Sequence, residues 1–284
     1  MGCSAPSHDC KSRGRVARAG DTNPLTTVTS AVATHPGLRR EGNEDASCVR
    51  ADLGLYLVAD GMGGHAAGEV ASRLAVETIE SFINDTRQAD LSSTWPSPYD
   101  TTLSVDGNRL RAAFQLANRR LTAAMGDNDD LRGMATTAVA ILVNPEGATA
   151  AHVGDSRAYR LRGGVLTGLT EDHSWVNEQV RAGLMTDADA RRHPWRNVVT
   201  RAITGGDDPQ PELTVLALST GDRILLCSDG LSSVVPNDQI ARLLAAERPL
   251  DEICKTLIDA ANDAGGPDNI TVVLIQVEHA DDVA

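Results

Sequence analysis

A layered sandwich of α+β class is the fold this sequence predicts, and three observations predict it. Strand-like segments crowd the middle of the chain, the connections between them are short enough to favour antiparallel pairing, and amphipathic helices come in pairs near the two ends. A regular strand–helix–strand alternation, which would give a parallel sheet, is absent. The 284 residues carry no internal repeat and no linker that divides them, so one domain is expected over 25–280, behind a leader over 1–24.

Residues 1–24 mix Ser, Gly and Pro with Lys11, Arg13, Arg15 and Arg18 without periodicity, the composition of a flexible leader. Leu25–Ala33, rich in Thr, Val and Ala, reads as a strand ended by His35-Pro36-Gly37, and Leu55–Ala59 as a short buried strand. Val70, Leu74, Val76, Ile79 and Ile83 recur at three- and four-residue steps, so an amphipathic helix is expected over Glu69–Ile83. Over 85–107, Trp95-Pro96-Ser97-Pro98 and many Ser, Thr and Asp residues mark a surface insertion too short for a domain. A second helix is expected over Arg109–Met125. Strands then follow over Thr136–Val143, Ala148–Val153, Ala158–Arg162 and Val165–Leu169, separated by Pro-Glu-Gly, Gly-Asp-Ser and Gly-Gly turns. Residues 174–203 turn helical and polar. Strands at Leu213–Leu218 and Arg223–Ser228, helices at Asp238–Ala246 and Leu250–Ala264, and a strand at Ile270–Val277 complete the pattern.

With 26 basic and 39 acidic residues the net charge is −13, so no global basic field exists to hold a polyanion. Neither nucleic acid nor an anionic membrane is an expected partner. No apolar run reaches the ~18–20 residues of a membrane span, and the start lacks the apolar core of a secretory signal. Gly2-Cys3 invites a lipidation reading, but Pro6 stands where myristoylation needs Ser or Thr. Cys3, Cys10, Cys48, Cys227 and Cys254 form no CxxC pair, and an odd number cannot close a full disulfide set. A reducing, cytoplasmic setting is expected.

Most of the carboxylates read as solvated surface. Four stand where surface charge is out of place. Leu55–Ala59 runs into Asp60-Gly61, Ala150–Val153 into Gly154-Asp155, Ile224–Ser228 into Asp229-Gly230, and Asp268-Asn269 directly precedes Ile270–Val273. Asp-Gly and Asp-Asn are ordinary turn formers, and one instance would mean no more than that. Four at the rims of buried strands would repel one another unless something positive sits among them. Oxygen-rich clusters of this kind select hard divalent cations such as Mg²⁺ or Mn²⁺ over Zn²⁺. Arg39-Arg40-Glu41-Gly42-Asn43-Glu44-Asp45 reads as a loop in which an arginine fork could hold a phosphate and Glu44 or Asp45 could add a ligand. Gly61, Gly63 and Ala66 also satisfy a G-x-G-x-x-A dinucleotide fingerprint, but Asp60 would face the pyrophosphate with like charge and no second parallel strand follows the helix.

Taken in order, Arg40-x-x-Asn43-Glu44-Asp45, Asp60-Gly61-Met62-Gly63-Gly64, Met134-Ala135-Thr136-Thr137, Gly154-Asp155-Ser156-Arg157, Thr170-x-Asp172-His173-Ser174, Cys227-Ser228-Asp229-Gly230 and Gly266-Pro267-Asp268-Asn269 resemble the metal-dependent (PPM, type 2C) protein serine/threonine phosphatases, in particular their bacterial branch. The resemblance spans about 28–278 and implies a four-layer αββα sandwich, two central, mostly antiparallel sheets flanked by helix pairs. It further implies two divalent ions per domain, Mn²⁺ or Mg²⁺, and a third held more weakly. By similarity Asp60 bridges two metals and the Gly61 carbonyl ligates one. Asp229 and Asp268 hold the first, Glu44 reaches the second partly through water, and Asp155 with Asp229 binds the third. Arg40 resembles the phosphate-binding arginine. Residues 174–203 resemble a flap over the site, with Gly183 and His193-Pro194 as its punctuation and Asn197 where some relatives offer an oxygen ligand.

The implied reaction is hydrolysis of phosphoserine and phosphothreonine by direct attack of a hydroxide that bridges the two metals, with Asp60, Asp229 and Arg40 as the catalytic set. Met62 stands where many eukaryotic relatives carry a histidine proposed as general acid, so a metal-bound water is the expected substitute. His65, His152 and His173 are the other candidates, each read foremost as a structural histidine. The expected partners are phosphorylated proteins, with a bacterial serine/threonine kinase as the opposing activity, and a monomer is expected. Two alternatives share the fold: a catalytically silent phosphoprotein-binding module, which would have no need of Asp60, Asp229 and Asp268 together, and a hydrolase of small phosphate esters.

Overall fold

A computed structural model of the chain describes residues 27–63, 66–87 and 98–278. The leader, Cys3, Cys10, His65 and the Trp95-Pro96-Ser97 part of the insertion lie outside the described residues.

Among the described residues, eleven strands form two sheets in which every paired neighbour is antiparallel. One sheet takes the order β1 (Thr27–His35), β11 (Ile270–Glu278), β10 (Arg223–Cys227), β7 (Arg157–Arg162), β8 (Val165–Gly168). The other takes the order β2 (Asp45–Arg50), β3 (Leu55–Met62), β5 (Ala138–Asn144), β6 (Gly147–Val153), β9 (Glu212–Leu216), with the short β4 (Ala135–Thr136) also paired to β3. Both sheets are covered on their outer faces, so strand alternation here sorts residues between two apolar layers. Tyr56, Val58, Val139 and Ile141 meet Ile224, Leu226, Val273 and Ile275 between the sheets. Leu55, Leu57, Ala138 and Ala140 face the helix pair α1 (Ala67–Thr86) and α2 (Val105–Asp127). On the far side Leu225, Cys227, Val272 and Leu274 face α6 (Asn237–Leu244) and α7 (Leu250–Asp263). The layers are therefore helix, sheet, sheet, helix.

The periodicity that predicts α1 places its apolar stripe slightly off. Its fully buried positions are Ala71, Ala75 and Ile79 with Ser72, while Val70 and Leu74 are only partly buried at the flank. Small side chains let the helix axis approach the sheet closely, and the larger ones wedge at the edges. α2 starts at Val105, inside the expected insertion, because the Ser104 hydroxyl accepts from Gly107 N at 3.0 Å as an N-cap. No element is expected over β2, of which only Asp45 falls in the expected 39–45 loop. Two further short helices, α3 (Trp175–Arg181) and α4 (Asp187–Ala190), lie in the 174–203 segment, whose remainder is irregular, and a single turn, α5 (Asp229–Ser232), follows β10. Cys48, Cys227 and Cys254 are free and buried. Among the described residues no helix is long and apolar enough to cross a membrane.

Candidate metal centre

The two sheets meet along one edge where β3 and β6 end, β10 ends and β11 begins. Asp60 lies near the end of β3, Asp155 in the turn after β6, Asp229 at the start of α5, and Asp268 just ahead of β11. All four line one cavity of about 660 Å³, together with Arg40, Glu44, Gly61 and Asn197. Backbone hydrogen bonds set this rim. The Asp60 carbonyl accepts from Thr136 Oγ1 at 2.8 Å and from Thr137 N at 2.9 Å. Gly61 N donates to the Glu44 carbonyl at 3.1 Å, and Glu44 N donates to Asn269 Oδ1 at 2.8 Å. Asn269 Nδ2 in turn donates to the carbonyls of Pro36 and Gly42. One buried amide thus clamps the 36–44 loop to the turn that carries Asp268, a role the sequence reading did not assign to Asn269.

Close backbone approach brings the acids together. A Cβ on Gly68, in the first turn of α1, would stand 2.1 Å from Glu44 Oε2. One on Gly230, beside Asp229, would stand 1.9 Å from the Asn269 carbonyl oxygen. At Gly230 the obstacle is backbone and no side chain fits, whereas at Gly68 a Cβ would push the end of the Glu44 side chain out of its place.

The electrostatics follow from that convergence. Asp60 keeps part of its surface open to the cavity while protein crowds its other sides, and burial with the charges of Asp45, Asp229, Asp155 and Asp268 pushes its carboxyl well above the usual range. Burial and the Asp229 and Asp172 charges raise Asp155 to about 7, and burial and Asp268 raise Asp229 to about 6, a hydrogen bond with Asp60 pulling the other way. Glu44 is raised by burial, against the pull of Arg40. Repulsion among buried carboxylates of this density is relieved either by protons or by a cation. The donor set is oxygen only and the carboxylates converge from both sheets, which fits hard divalent ions.

Asp45, paired with Asp60 across β2 and β3, is not among the cavity's lining residues. Its Oδ2 accepts from Ser228 Oγ at 2.8 Å, its Oδ1 has no partner, and burial raises it to about 7. Arg40, 54% exposed at the mouth, donates from Nη2 to Asp268 Oδ2 at 2.8 Å. Asn197 lines the cavity from the 174–203 segment. His152 and His173 do not line it; they stack at 4.7 Å, buried, behind the Gly154 turn. His173 Nδ1 accepts from Gly154 N at 3.1 Å, which leaves the proton on Nε2, facing Glu212 Oε1 at 3.1 Å. His152, His173 and Glu212 are close enough to hold an ion, but Arg201 Nη1 already lies 3.0 Å from His173 Nε2 and 3.2 Å from Glu212 Oε1. A resident cation fills that place.

The family described as protein phosphatase 2C matches residues 39–274. A putative protein phosphatase 2C-type from Streptococcus pyogenes is 37% identical over 251 residues, covering 87% of this chain and 97% of the relative. The crystal structure of the Mycobacterium tuberculosis serine/threonine phosphatase PstP/Ppp superposes with a TM-score of 0.79 at 38% identity, over 90% of this chain and all of that one. The catalytic domain of PstP in complex with two manganese ions gives a TM-score of 0.76 at 36% identity, over 89% of this chain and 99% of that one. Motif order, four-layer architecture and the acid-lined edge agree with these likenesses, and the chain belongs to the protein phosphatase 2C family.

Proposed function

We propose that this chain is a Mn²⁺- or Mg²⁺-dependent protein serine/threonine phosphatase that hydrolyses phosphoserine and phosphothreonine. The observation that carries the reading is the set of carboxylates, Asp155 buried and Asp60, Asp229, Asp268 and Glu44 half-buried, that line one cavity under a single arginine at its mouth. Asp60, Asp229 and Asp268 with the Gly61 carbonyl and Glu44 would hold two ions, and Asp155 with Asp229, aided by Asn197, a third. Bound there, divalent ions supply Lewis acidity that makes water a nucleophile near neutral pH and offsets charge on the phosphoryl oxygens. Arg40 offers its guanidinium edge to the phosphate. Water attacks phosphorus in line, the bond to the serine or threonine oxygen breaks, and the products are inorganic phosphate and the free hydroxyl. Met62 lines the cavity, and in this proposal the leaving oxygen takes its proton from water. His173 holds the Gly154–Asp155 turn in place.

In this proposal the 25–280 segment acts as one catalytic domain with 174–203 as its flap. It works as a monomer in the cytoplasm and opposes a serine/threonine kinase. Hydrolysis of phosphothreonine peptides and p-nitrophenyl phosphate should require Mn²⁺ or Mg²⁺ and vanish in Asp229→Ala. Turnover that persists in EDTA would refute the reading.

A further inference from the structure

A second cavity, of about 420 Å³, adjoins the first and shares Asp155, Asn197 and Asp229 with it. Its lining is mixed: Val176, Val180, Val234 and Pro236 supply an apolar wall among polar side chains, and Arg191 and Arg196 reach it from the 174–203 segment. The segment 174–203 holds five arginines against three acids, a local charge of +2 in a chain of −13. Arg181 pairs with Glu171 and Arg201 with Glu212. Arg191, Arg192 and Arg196 are exposed and have no side-chain partner among the described residues. Their backbone is held in place: His193 N donates to Ala190 O, Arg196 N to His193 O and Val198 N to Trp195 O, and Trp195 N donates to His193 Nδ1 at 3.1 Å. Trp175 packs on His193 and Trp195 at ring separations of 4.9 and 4.8 Å, and its N–H donates to Val198 O. Arg157, which also lines the cavity, is neutralised by a bidentate pair with Asp172, and Asp155 and Asp229 lie at the edge shared with the first cavity, so Arg191 and Arg196 are the cationic side chains of this space without a carboxylate partner among the described residues.

Resting on the phosphatase reading above, we infer that this cavity is a specificity subsite for a substrate peptide, in which Arg191 and Arg196 bind an anionic side chain near the phosphorylated residue while the apolar wall takes its stem. Anionic side chains come as carboxylates or as a second phosphate, and both present oxygens to a guanidinium.

The test uses the full chain with Mn²⁺ and phosphothreonine peptides that differ at one position within about four residues of the phosphothreonine, up to ~14 Å of extended chain. That position carries Gln, Lys, Glu or phosphoserine. The expected result is a kcat/KM about fivefold higher for Glu or phosphoserine than for Gln, carried by KM. The advantage should shrink to within about twofold in R191Q/R196Q, in part in each single variant, and persist in R192Q, whose arginine does not line the cavity. An advantage confined to the phosphoserine peptide names the second phosphate as the ligand; one shared with Glu names carboxylates as well. Equal kcat/KM on all four peptides, or a preference that survives R191Q/R196Q with an unchanged melting temperature, overturns the inference. The Gln peptide and p-nitrophenyl phosphate report on the phosphatase reading separately, and failure of the wild type on both overturns that reading and the subsite with it.

Discussion

Arg40 and the acids beneath it are individually ordinary residues whose behaviour is set by their neighbours. The Arg40 guanidinium rests on Asp268, and in the proposed function its exposed edge takes an incoming phosphate. Charge-assisted hydrogen bonds of this kind contribute about 1.5–3 kcal/mol, so Arg40→Ala should raise KM for phosphopeptides and weaken inhibition by inorganic phosphate about 10- to 100-fold. Unchanged constants would remove Arg40 from substrate binding. The acids predict a pH dependence. Folded-state values raised to about 7 for Asp45 and Asp155 and about 6 for Asp229 mean that the metal-free fold binds protons the unfolded chain has released. Such stability is complete below the unfolded value of ~3.9 and is lost as pH rises through the folded values. His152 and His173, their values lowered chiefly by burial, act in the opposite direction only below ~6.5. In EDTA, melting temperature should therefore fall between about pH 6.5 and 8. Mn²⁺ should reverse the trend, because ionised carboxylates bind it more tightly. A metal-free protein that gains stability over that interval would contradict this.

At the scale of elements, the site depends on how closely strand ends and helix starts can pack. Gly230 belongs to the single turn α5, and its Cα lies where any side chain would collide with the Asn269 carbonyl. Gly230→Ala should cost about 1–3 kcal/mol in urea denaturation and displace Asp229, lowering Mn²⁺ affinity measured by calorimetry. Loss of neither would mean that the β10–α5 junction yields without consequence. The elements that escaped the sequence are instructive. β2, Asp-Ala-Ser-Cys-Val-Arg, has weak alternation because it is an edge strand paired only to β3, and half of its residues face helix α1 or solvent. α5 spans four residues, fewer than any periodicity can register. Asn269 stood in plain view beside Asp268, yet its clamp on Pro36, Gly42 and Glu44 joins segments more than 220 residues apart. No local pattern reports a contact of that separation.

For the whole molecule, metal and fold should be thermodynamically coupled. The carboxylates converge only in the folded chain, so ions bind the native state and not the unfolded one. At a free concentration about 100 times Kd, one site adds about 2.7 kcal/mol, which for a chain of this size raises the melting temperature by roughly 5–10 °C. A Mn²⁺ titration followed by differential scanning fluorimetry should show that rise in the wild type and lose most of it in Asp229→Ala; a flat titration would speak against a metal centre here. The sequence by itself determined most of the strand and helix inventory, β2 and α5 excepted, and placed Asp60, Asp155, Asp229 and Asp268 at strand ends, because burial in two apolar layers imprints continuous hydrophobic runs that Asp-Gly and Asp-Asn must interrupt where chain meets solvent. Only the tertiary structure decided which acids face one cavity, that Asp45, His152 and His173 do not line it, and that two arginines of the 174–203 segment, unpaired among the described residues, border a second space. Those relations arise from the stacking of two sheets and the clamp between distant loops, and such long-range geometry leaves no periodic trace along the chain.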